Sequence, residues 1–156
     1  MRTFKYTFFW IALLFSVHGI YAQTGKATEA KKTENTSGEV IVLTKKDFLE
    51  KIYNYEKNRD AFVYEGNLPC IIDFYADWCG PCKVVEPILK DLAKVYKGKI
   101  IVYKVNTDNE RELAMAFRIN GIPTYFFIPA KGDPQRTAGA LPRETFVKVI
   151  EEILLK

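Results

Sequence analysis

Two cysteines separated by two residues are the strongest chemical signal in the sequence. Cys79, Gly80, Pro81 and Cys82 follow an apolar run and precede a stretch with helical periodicity. A sulfur in the first turn of a helix is favoured as the thiolate, because unpaired backbone N–H groups and the helix dipole stabilise negative charge there. We therefore predict thiol-disulfide exchange, with Cys79 as the nucleophile and Cys82 as the more buried thiol that resolves the mixed disulfide.

The same pair has two other interpretations, a metal site and a permanent structural disulfide. A zinc site needs about four ligands, and the chain offers one further cysteine, Cys70, and one histidine, His18. A disulfide that closes so short a loop stabilises a fold little by the chain-entropy estimate. We expect no metal and no cofactor. We expect Cys70 to be a buried, unreactive thiol, with a regulatory partner of the pair as the alternative.

A carboxylate interrupts the apolar run that precedes the pair. Asp73 lies within Cys70 to Tyr75, where an unpaired charge costs several kcal/mol and burial raises the pKa of an acid. Such a group is a candidate proton acceptor for Cys82. The alternative is a polar residue that faces a loop or a helix cap. Lys104, in the next predicted strand, is either its ionic partner or a surface lysine.

A proline begins a later predicted strand, in Gly121-Ile122-Pro123-Thr124. Proline is unusual at that place unless the end of the strand makes no ladder hydrogen bonds. Because X-Pro bonds adopt the cis form at modest cost, we predict a cis Ile122-Pro123 turn, with an ordinary trans proline as the alternative.

The hydrophobic pattern predicts the elements that position these residues. Alternating strand and helix patterns, followed by a hairpin, give the order β-α-β-α-β-α-β-β-α. This order predicts an α/β fold with one mixed sheet covered by helices on both faces. The predicted strands are Val40 to Leu43, Cys70 to Tyr75, Ile100 to Val105, Thr124 to Ile128 and Gln135 to Ala138, and the second and fourth helices run over Cys79 to Tyr96 and from Pro142 onward.

Capping signals mark the starts of the other two helices. Thr44, three residues before Asp47, predicts an N-cap arrangement for the first helix, and Asn109 with Glu112 predicts a capping box for the third. Between the first helix and the second strand, Asn58 to Leu68 mixes charged and aromatic residues without a clear period. We predict a loop or an irregular extension there.

The first 22 residues have the features of a targeting segment. Basic residues precede the apolar stretch Tyr6 to Val17, and small Ala22 precedes polar Gln23, as in a secretory signal peptide. The stretch is shorter than the ~20 residues of a membrane-spanning helix, so we expect cleavage, with a retained anchor as the alternative. We assign residues 1–22 to a signal peptide, 23–38 to a flexible leader and 39–156 to one domain.

Composition limits the functions of that domain. The chain has 156 residues, 48% of them hydrophobic, with 23 basic and 19 acidic residues and a net charge of +4. This suits one globular domain. Without a dense Lys/Arg run it does not favour nucleic-acid binding. Removal of residues 1–22 takes away His18 and leaves no histidine, which excludes Cys-His, Ser-His and His-ligated metal chemistry.

Taken together, the motifs resemble the thioredoxin family over residues 39–156. A lone C-x-x-C is a weak signal, whereas the ordered set is highly specific. The chain departs from the family pattern at Tyr75, where tryptophan is common, in the longer Asn58 to Leu68 connection and in the additional Cys70. The motifs are Asp73-Phe74-Tyr75-Ala76-Asp77-Trp78-Cys79-Gly80-Pro81-Cys82-Lys83, Pro87-Ile88-Leu89, Gly121-Ile122-Pro123-Thr124 and Gly139-Ala140-Leu141.

The resemblance implies a thioredoxin fold and a set of residue roles. Cys79 would attack, and Cys82 would resolve the intermediate and form a disulfide with it. Asp73 and Lys104 would be the buried pair that handles the proton. A substrate would bind as an added strand beside cis Pro123, on a surface formed by Trp78, Gly80, Pro81, Gly121, Ile122 and Gly139.

The resemblance also implies a direction of reaction and a set of partners. The central Gly-Pro dipeptide is like that of the reducing members, so we expect a monomeric protein-disulfide reductase. The signal peptide predicts export to the periplasm, where exported proteins with disulfides would be the substrates. Because that compartment is oxidising, a membrane-bound thiol reductant would supply electrons. We expect neither nucleic acid nor stable membrane insertion after cleavage. The alternatives are a disulfide oxidase or isomerase and a non-catalytic peptide-binding module.

Overall fold

The computed structural model describes residues 37–156, in which five strands form one sheet. The strands are β1 (Val40–Val42), β2 (Cys70–Tyr75), β3 (Ile101–Asn106), β4 (Thr124–Ile128) and β5 (Gln135–Ala138). The helices are α1 (Lys45–Lys51), α2 (Gly80–Val95), α3 (Arg111–Ala116) and α4 (Arg143–Val149), which continues as a π-helical turn over Ile150–Leu154. The predicted order of elements is confirmed. The predicted signal peptide, and all but the last two residues of the predicted leader, lie outside the described residues.

β2 occupies the centre of the sheet, whose strand order is β1-β3-β2-β4-β5. It pairs in parallel with β3 and antiparallel with β4, while β1 is parallel to β3 and β5 is antiparallel to β4. A strand with neighbours on both edges and helices over both faces is apolar along its length. Cys70 to Phe74 are accordingly all buried, and Asp73 is the only acidic residue of β2.

Each face of the sheet carries its own hydrophobic cluster. α2 and α4 cover one face with residues that include Leu89 and Phe146. α1 and α3 cover the other with residues that include Phe48 and Leu113. Because successive side chains of a strand point to opposite faces, β2 contributes alternate residues to the two clusters.

α2 begins at the end of the short loop that follows β2. Cys79 is its N-cap, and Pro81 lies in the first turn, where a missing N–H costs nothing. The interior Pro87 does not end the helix, which continues to Val95. The cysteine pair therefore lies at the strand-to-helix junction that the sequence predicts. The buried face of α2 comprises Cys82, Val85, Leu89, Leu92 and Ala93.

The N-cap predicted at Thr44 for α1 is confirmed, and in the structure it forms a full capping box with Asp47. The backbone N–H of Asp47 donates to Thr44 Oγ1 over 3.1 Å, and the backbone N–H of Thr44 donates to Asp47 Oδ2 over 3.4 Å. Each side chain thus accepts from the other residue's backbone, which satisfies two N–H groups that the first turn leaves unpaired.

The capping box predicted for α3 is wrong. The N-cap of α3 is Glu110, not Asn109, and it makes no side-chain cap. The acidic residues instead bind the start of α1: the backbone N–H of Lys45 donates to Glu110 Oε2 over 2.9 Å, and Lys45 Nζ lies 2.7 Å from Glu112 Oε2. A contact between distant segments has replaced the local one.

The connection between α1 and β2 is irregular, as predicted for Asn58 to Leu68, and it forms an aromatic layer. The rings of Tyr53 and Phe62 have centroids 4.8 Å apart, and those of Tyr55 and Phe117 are 5.6 Å apart. These side chains pack against the cluster under α1 and α3. This connection therefore covers the face of the sheet opposite α2.

We expect the attachment of α2 to depend on its buried face. Leu89→Ala should lower the free energy of unfolding by about 3 kcal/mol, because it removes a side chain that is 1% exposed and leaves a cavity. The control Val95→Ala, in the same helix but 57% exposed, should change it by less than about 0.5 kcal/mol. Urea unfolding of both variants measures this, and equal effects would contradict the packing described.

Candidate active site

The sulfur of Cys79 lies at the N-terminus of α2, where the helix dipole is positive. The backbone N–H of Cys82 donates a hydrogen bond to Cys79 Sγ over 3.2 Å. The two residues are joined by a disulfide, with Cα atoms 5.3 Å apart. In the reduced pair, the same N–H group and the same dipole favour the thiolate over the thiol at Cys79.

Burial does not distinguish the two cysteines in the disulfide form. Cys79 is 3% exposed and Cys82 is 4% exposed, so the prediction that Cys82 is the more buried is wrong for this state. The reason is that both sulfurs pack into one small cluster with Ala76. Their surroundings differ instead: Cys79 is flanked by exposed Trp78 and Gly80, whereas Cys82 lines a cavity.

That cavity, of about 70 Å³, connects Cys82 to Asp73. Glu86 and Lys104 also line it, so it lies between the start of α2 and strands β2 and β3. A cavity needs a volume of ~10–15 Å³ and polar groups in its lining to hold one buried water molecule. The cavity therefore has room for water between the carboxyl group and the thiol of the reduced pair.

Asp73 is 5% exposed, and its Oδ1 makes no hydrogen bond. Burial raises the pKa of this carboxyl group to about 7, with Lys104 lowering it and Glu86 raising it by their charges. Loss of hydration is thus the dominant cause, since it disfavours the charged form. An acid whose pKa lies near neutrality can both accept and return a proton at working pH.

Lys104 is the neighbour of Asp73 in the register between β2 and β3. Its Nζ lies 3.7 Å from Glu86 Oε1 and 4.9 Å from the centre of the Tyr75 ring. Within the described residues its ion pair is with Glu86, not with Asp73. Lys104 is therefore half-buried rather than a surface lysine, and it acts on Asp73 through its charge, without a direct salt bridge.

A second loop reaches the disulfide from the start of β4. The Ile122–Pro123 peptide bond is cis, as predicted. Ile122 packs against the cluster that contains Cys79 and Cys82, and the backbone N–H of Gly139 donates to the Pro123 carbonyl over 2.9 Å. The loops before α2, before β4 and after β5 therefore meet at one end of the sheet.

A hydrogen-bond network that the sequence analysis did not predict holds the exposed tryptophan. Trp78 Nε1–H donates to Asp108 Oδ2 over 2.9 Å, and the backbone N–H of Asp108 donates to Asn106 Oδ1 over 2.9 Å. Asn106 Nδ2 donates in turn to Asp77 Oδ2 over 3.1 Å. The sequence signal for this network is the polar run that directly follows a buried strand, because parallel β2 and β3 end at the same edge of the sheet.

Residues 37–156 contain neither a candidate metal site nor a candidate membrane-spanning helix. Over this range, no group of three or more His, Cys, Asp or Glu side chains is arranged to hold a metal ion. None of the helices described combines the length and the hydropathy needed to cross a membrane.

Comparison with other proteins agrees with this geometry. The profile of the thioredoxin family matches residues 39–152. The chain belongs to the thioredoxin family. It is 42% identical over 112 residues to the thioredoxin of Borreliella burgdorferi, which covers 72% of this chain and 95% of that relative. Thioredoxin 1 of Chlorobaculum tepidum is 46% identical over 83 residues, or 53% of this chain and 82% of that relative. The solved structure of chloroplastic thioredoxin z matches with a TM-score of 0.63 at 26% identity, over 74% of this chain and 94% of that one.

Membership of the family defines the activity. The protein is a thioredoxin-type thiol-disulfide oxidoreductase, with Cys79 and Cys82 as the redox-active pair. Thioredoxins act as disulfide reductases on proteins that carry disulfides, so the predicted enzyme class is confirmed. The roles predicted for Asp73, for Lys104 and for the docking residues stay predictions.

The buried acid should make the stability of this thioredoxin depend on pH in a defined direction. The pKa of Asp73 is about 7 in the folded state, against ~3.9 for an unfolded aspartate. Between these values the folded state binds more protons than the unfolded state. The stability that Asp73 contributes is therefore complete below about pH 4 and is lost as the pH rises to about 7.

The side chain introduced by Asp73→Asn does not titrate. The variant should therefore not show this loss of stability as the pH rises. Its free energy of unfolding, relative to that of the parent protein, should increase across the window by up to about 4 kcal/mol, at ~1.36 kcal/mol per pKa unit. Urea unfolding of the two oxidised proteins at several pH values measures the difference. Parallel pH dependences would show that the pKa of Asp73 is not raised.

Proposed function

We propose that the mature protein is an exported, monomeric protein-disulfide reductase in which Cys79 attacks, Cys82 resolves and Asp73 accepts the proton. The observation that carries this proposal is the position of Cys79 Sγ at the N-cap of α2, with the backbone N–H of Cys82 donating to it. A sulfur held there is most stable as the thiolate, which is the nucleophile of disulfide exchange.

The reaction starts from the reduced pair and a disulfide of the partner protein. The Cys79 thiolate attacks one partner sulfur, forms a mixed disulfide and releases the other sulfur as a thiolate. Cys82 then gives its proton to the Asp73 carboxylate, and the Cys82 thiolate attacks Cys79 Sγ. The products are the Cys79–Cys82 disulfide and a partner with two thiolates, which take protons from Asp73 and from water. Two electrons have passed to the partner.

The cavity between Asp73 and Cys82 supports the proton transfer. Both groups line the same space of about 70 Å³, which has room for a bridging water. Burial has raised the pKa of the Asp73 carboxyl group to about 7. This value is closer to the ordinary pKa of a thiol, ~8.5, than the pKa of an exposed aspartate is. Proton transfer from Cys82 to Asp73 therefore costs less free energy than transfer to an exposed aspartate would, and Asp73 returns the proton readily.

Peptide docking is proposed beside cis Pro123. Within the described part of the chain, no hydrogen bond uses the backbone N–H or carbonyl of Ile122. Both groups can therefore pair with an extended substrate segment. Because Ile122 packs against the cysteine cluster, such a segment would lie next to the disulfide. The exposed surface around it is formed by Trp78, Gly80, Pro81, Gly121 and Gly139.

Export is proposed from the segment that precedes the family domain. The family profile begins at residue 39, so residues 1–38 are additional to that domain. Residues 1–22 have a basic start, an apolar stretch and a small residue before Gln23, which are the three parts of a secretory signal. The substrates would then be exported proteins with disulfides. In an oxidising periplasm, a membrane-bound thiol reductant would return electrons to the pair.

Cysteine variants test the chemistry. Cys79→Ser should reduce insulin disulfides no faster than buffer, because the attacking sulfur is gone. Cys82→Ser should accumulate a mixed disulfide at Cys79, because the resolving sulfur is gone, and this adduct is visible by mass spectrometry. The matched control Cys70→Ala removes a buried thiol outside the pair and should retain activity. Full activity of Cys79→Ser would overturn the assignment.

Fractionation tests export and the direction of electron flow. Expressed from its full sequence in a bacterium with a periplasm, the protein should appear in the periplasmic fraction with Gln23 as its first residue, as measured by intact mass. Deletion of residues 2–22 should keep it in the cytoplasm. Acid trapping and alkylation should find the pair mainly reduced. An intact Met1 terminus would contradict export, and a mainly oxidised pair would contradict the reductase direction.

A further inference from the structure

Two buried polar atoms without hydrogen-bond partners lie on neighbouring residues of the sheet. They are Asp73 Oδ1 and the hydroxyl oxygen of Tyr125, and within residues 37–156 no other buried side-chain oxygen or nitrogen lacks a partner. Asp73 is 5% exposed and Tyr125 is fully buried. A buried polar atom left without a partner is destabilising, so two of them on adjacent residues point to a shared interaction.

The register of the sheet brings these two side chains together. Asp73 and Tyr125 are directly opposite each other in the antiparallel pairing of β2 and β4. Lys104 is opposite Asp73 on the other side, in the parallel pairing with β3. Directly opposed residues project from the same face of a sheet. A lysine, an acid and a phenol therefore form one row across three adjacent strands, with the carboxyl group of Asp73 in the middle.

The Tyr125 side chain is fixed and remains a neutral donor. Its ring meets the Phe146 ring nearly edge-on, at 5.0 Å between centroids and 84° between planes. Burial raises the pKa of the phenol, and the negative charge of Asp73 raises it further. The hydroxyl therefore keeps its proton over the working range, and it responds to the charge on Asp73.

We propose that Tyr125 is a positioning residue for the proton transfer, and that its hydroxyl donates a hydrogen bond, directly or through one water molecule, to the Asp73 carboxylate. This inference rests on the proposed role of Asp73 as the acceptor of the Cys82 proton. A donor to the charged form stabilises the carboxylate, which opposes the effect of burial. Tyr125 thereby keeps more of Asp73 ionised at neutral pH, and it transfers no proton itself.

Other charged and titratable groups also face Asp73. The charge of Lys104 lowers the pKa of Asp73 and that of Glu86 raises it. Removing the Tyr125 hydroxyl leaves all of these groups in place, so a changed pH dependence would report on the hydroxyl itself. The groups around the cavity are Cys82, Lys83 and Glu86 of α2, Lys104 of β3, Tyr75 of β2 and Asp77 of the loop that follows β2.

The test is Tyr125→Phe in the purified protein, with the resolving step followed in single turnovers of a mixed disulfide. The acid limb of the pH–rate profile should move to higher pH by about one unit, the size expected for a lost hydrogen bond to a charged group. The protonated Asp73 carboxyl group gives an infrared band that is identified by its absence from the Asp73→Asn variant. In Tyr125→Phe this band should persist to a correspondingly higher pH than in the parent protein. The control Tyr96→Phe removes a hydroxyl of the same cluster that donates to Glu151 Oε1, and it should leave both readouts unchanged.

A double variant separates this inference from the proposed function. If Asp73→Asn alters the profile and Tyr125→Phe does not, the role of Tyr125 is overturned and that of Asp73 stands. If Asp73→Asn leaves the profile unchanged, the proposed proton acceptor fails, and the Tyr125 inference fails with it. In the Asp73→Asn background, Tyr125→Phe should have no further effect on the profile. A further shift there would show that Tyr125 acts on something other than Asp73.

Discussion

The burial of β2 on both faces is the constraint on which the site depends. β2 has a hydrogen-bonded neighbour on each edge and a hydrophobic cluster on each face. The carboxyl group of Asp73 is therefore largely withdrawn from bulk water, and a short loop leads from the end of β2 into α2. That loop places Cys79 at the start of the helix. The raised pKa of the acid and the position of the sulfur both follow from this one strand.

The site combines two opposite electrostatic environments a short distance apart. At Cys79, a backbone N–H group and the helix dipole favour the negative form of the reduced sulfur. At Asp73, loss of hydration disfavours the negative form of the carboxyl group. A thiolate nucleophile and an acid that titrates near neutrality can therefore exist together, and the cavity that Cys82 shares with Asp73 links them.

Sequence patterns predicted correctly what depends on near neighbours. The five strands, the N-cap of α1 and the cis bond before Pro123 are all as expected, because alternation of burial, helix capping and proline geometry are local properties. The error at the start of α3 arises because a distant residue intervenes. The expected cap of α3 does not form because Glu110 and Glu112 bind Lys45, 65 and 67 residues away.

By itself the sequence determined that Cys79 and Cys82 lie at a strand-to-helix junction and that Asp73 is buried, because composition and spacing specify burial and helix starts. Only the tertiary structure decided which groups surround them. Lys104 pairs with Glu86, and Tyr125 lies directly opposite Asp73. The physical reason is that packing between segments far apart in the chain sets both the register of the strands and the position of α2 against the sheet, and a single sequence carries no local signal of that alignment.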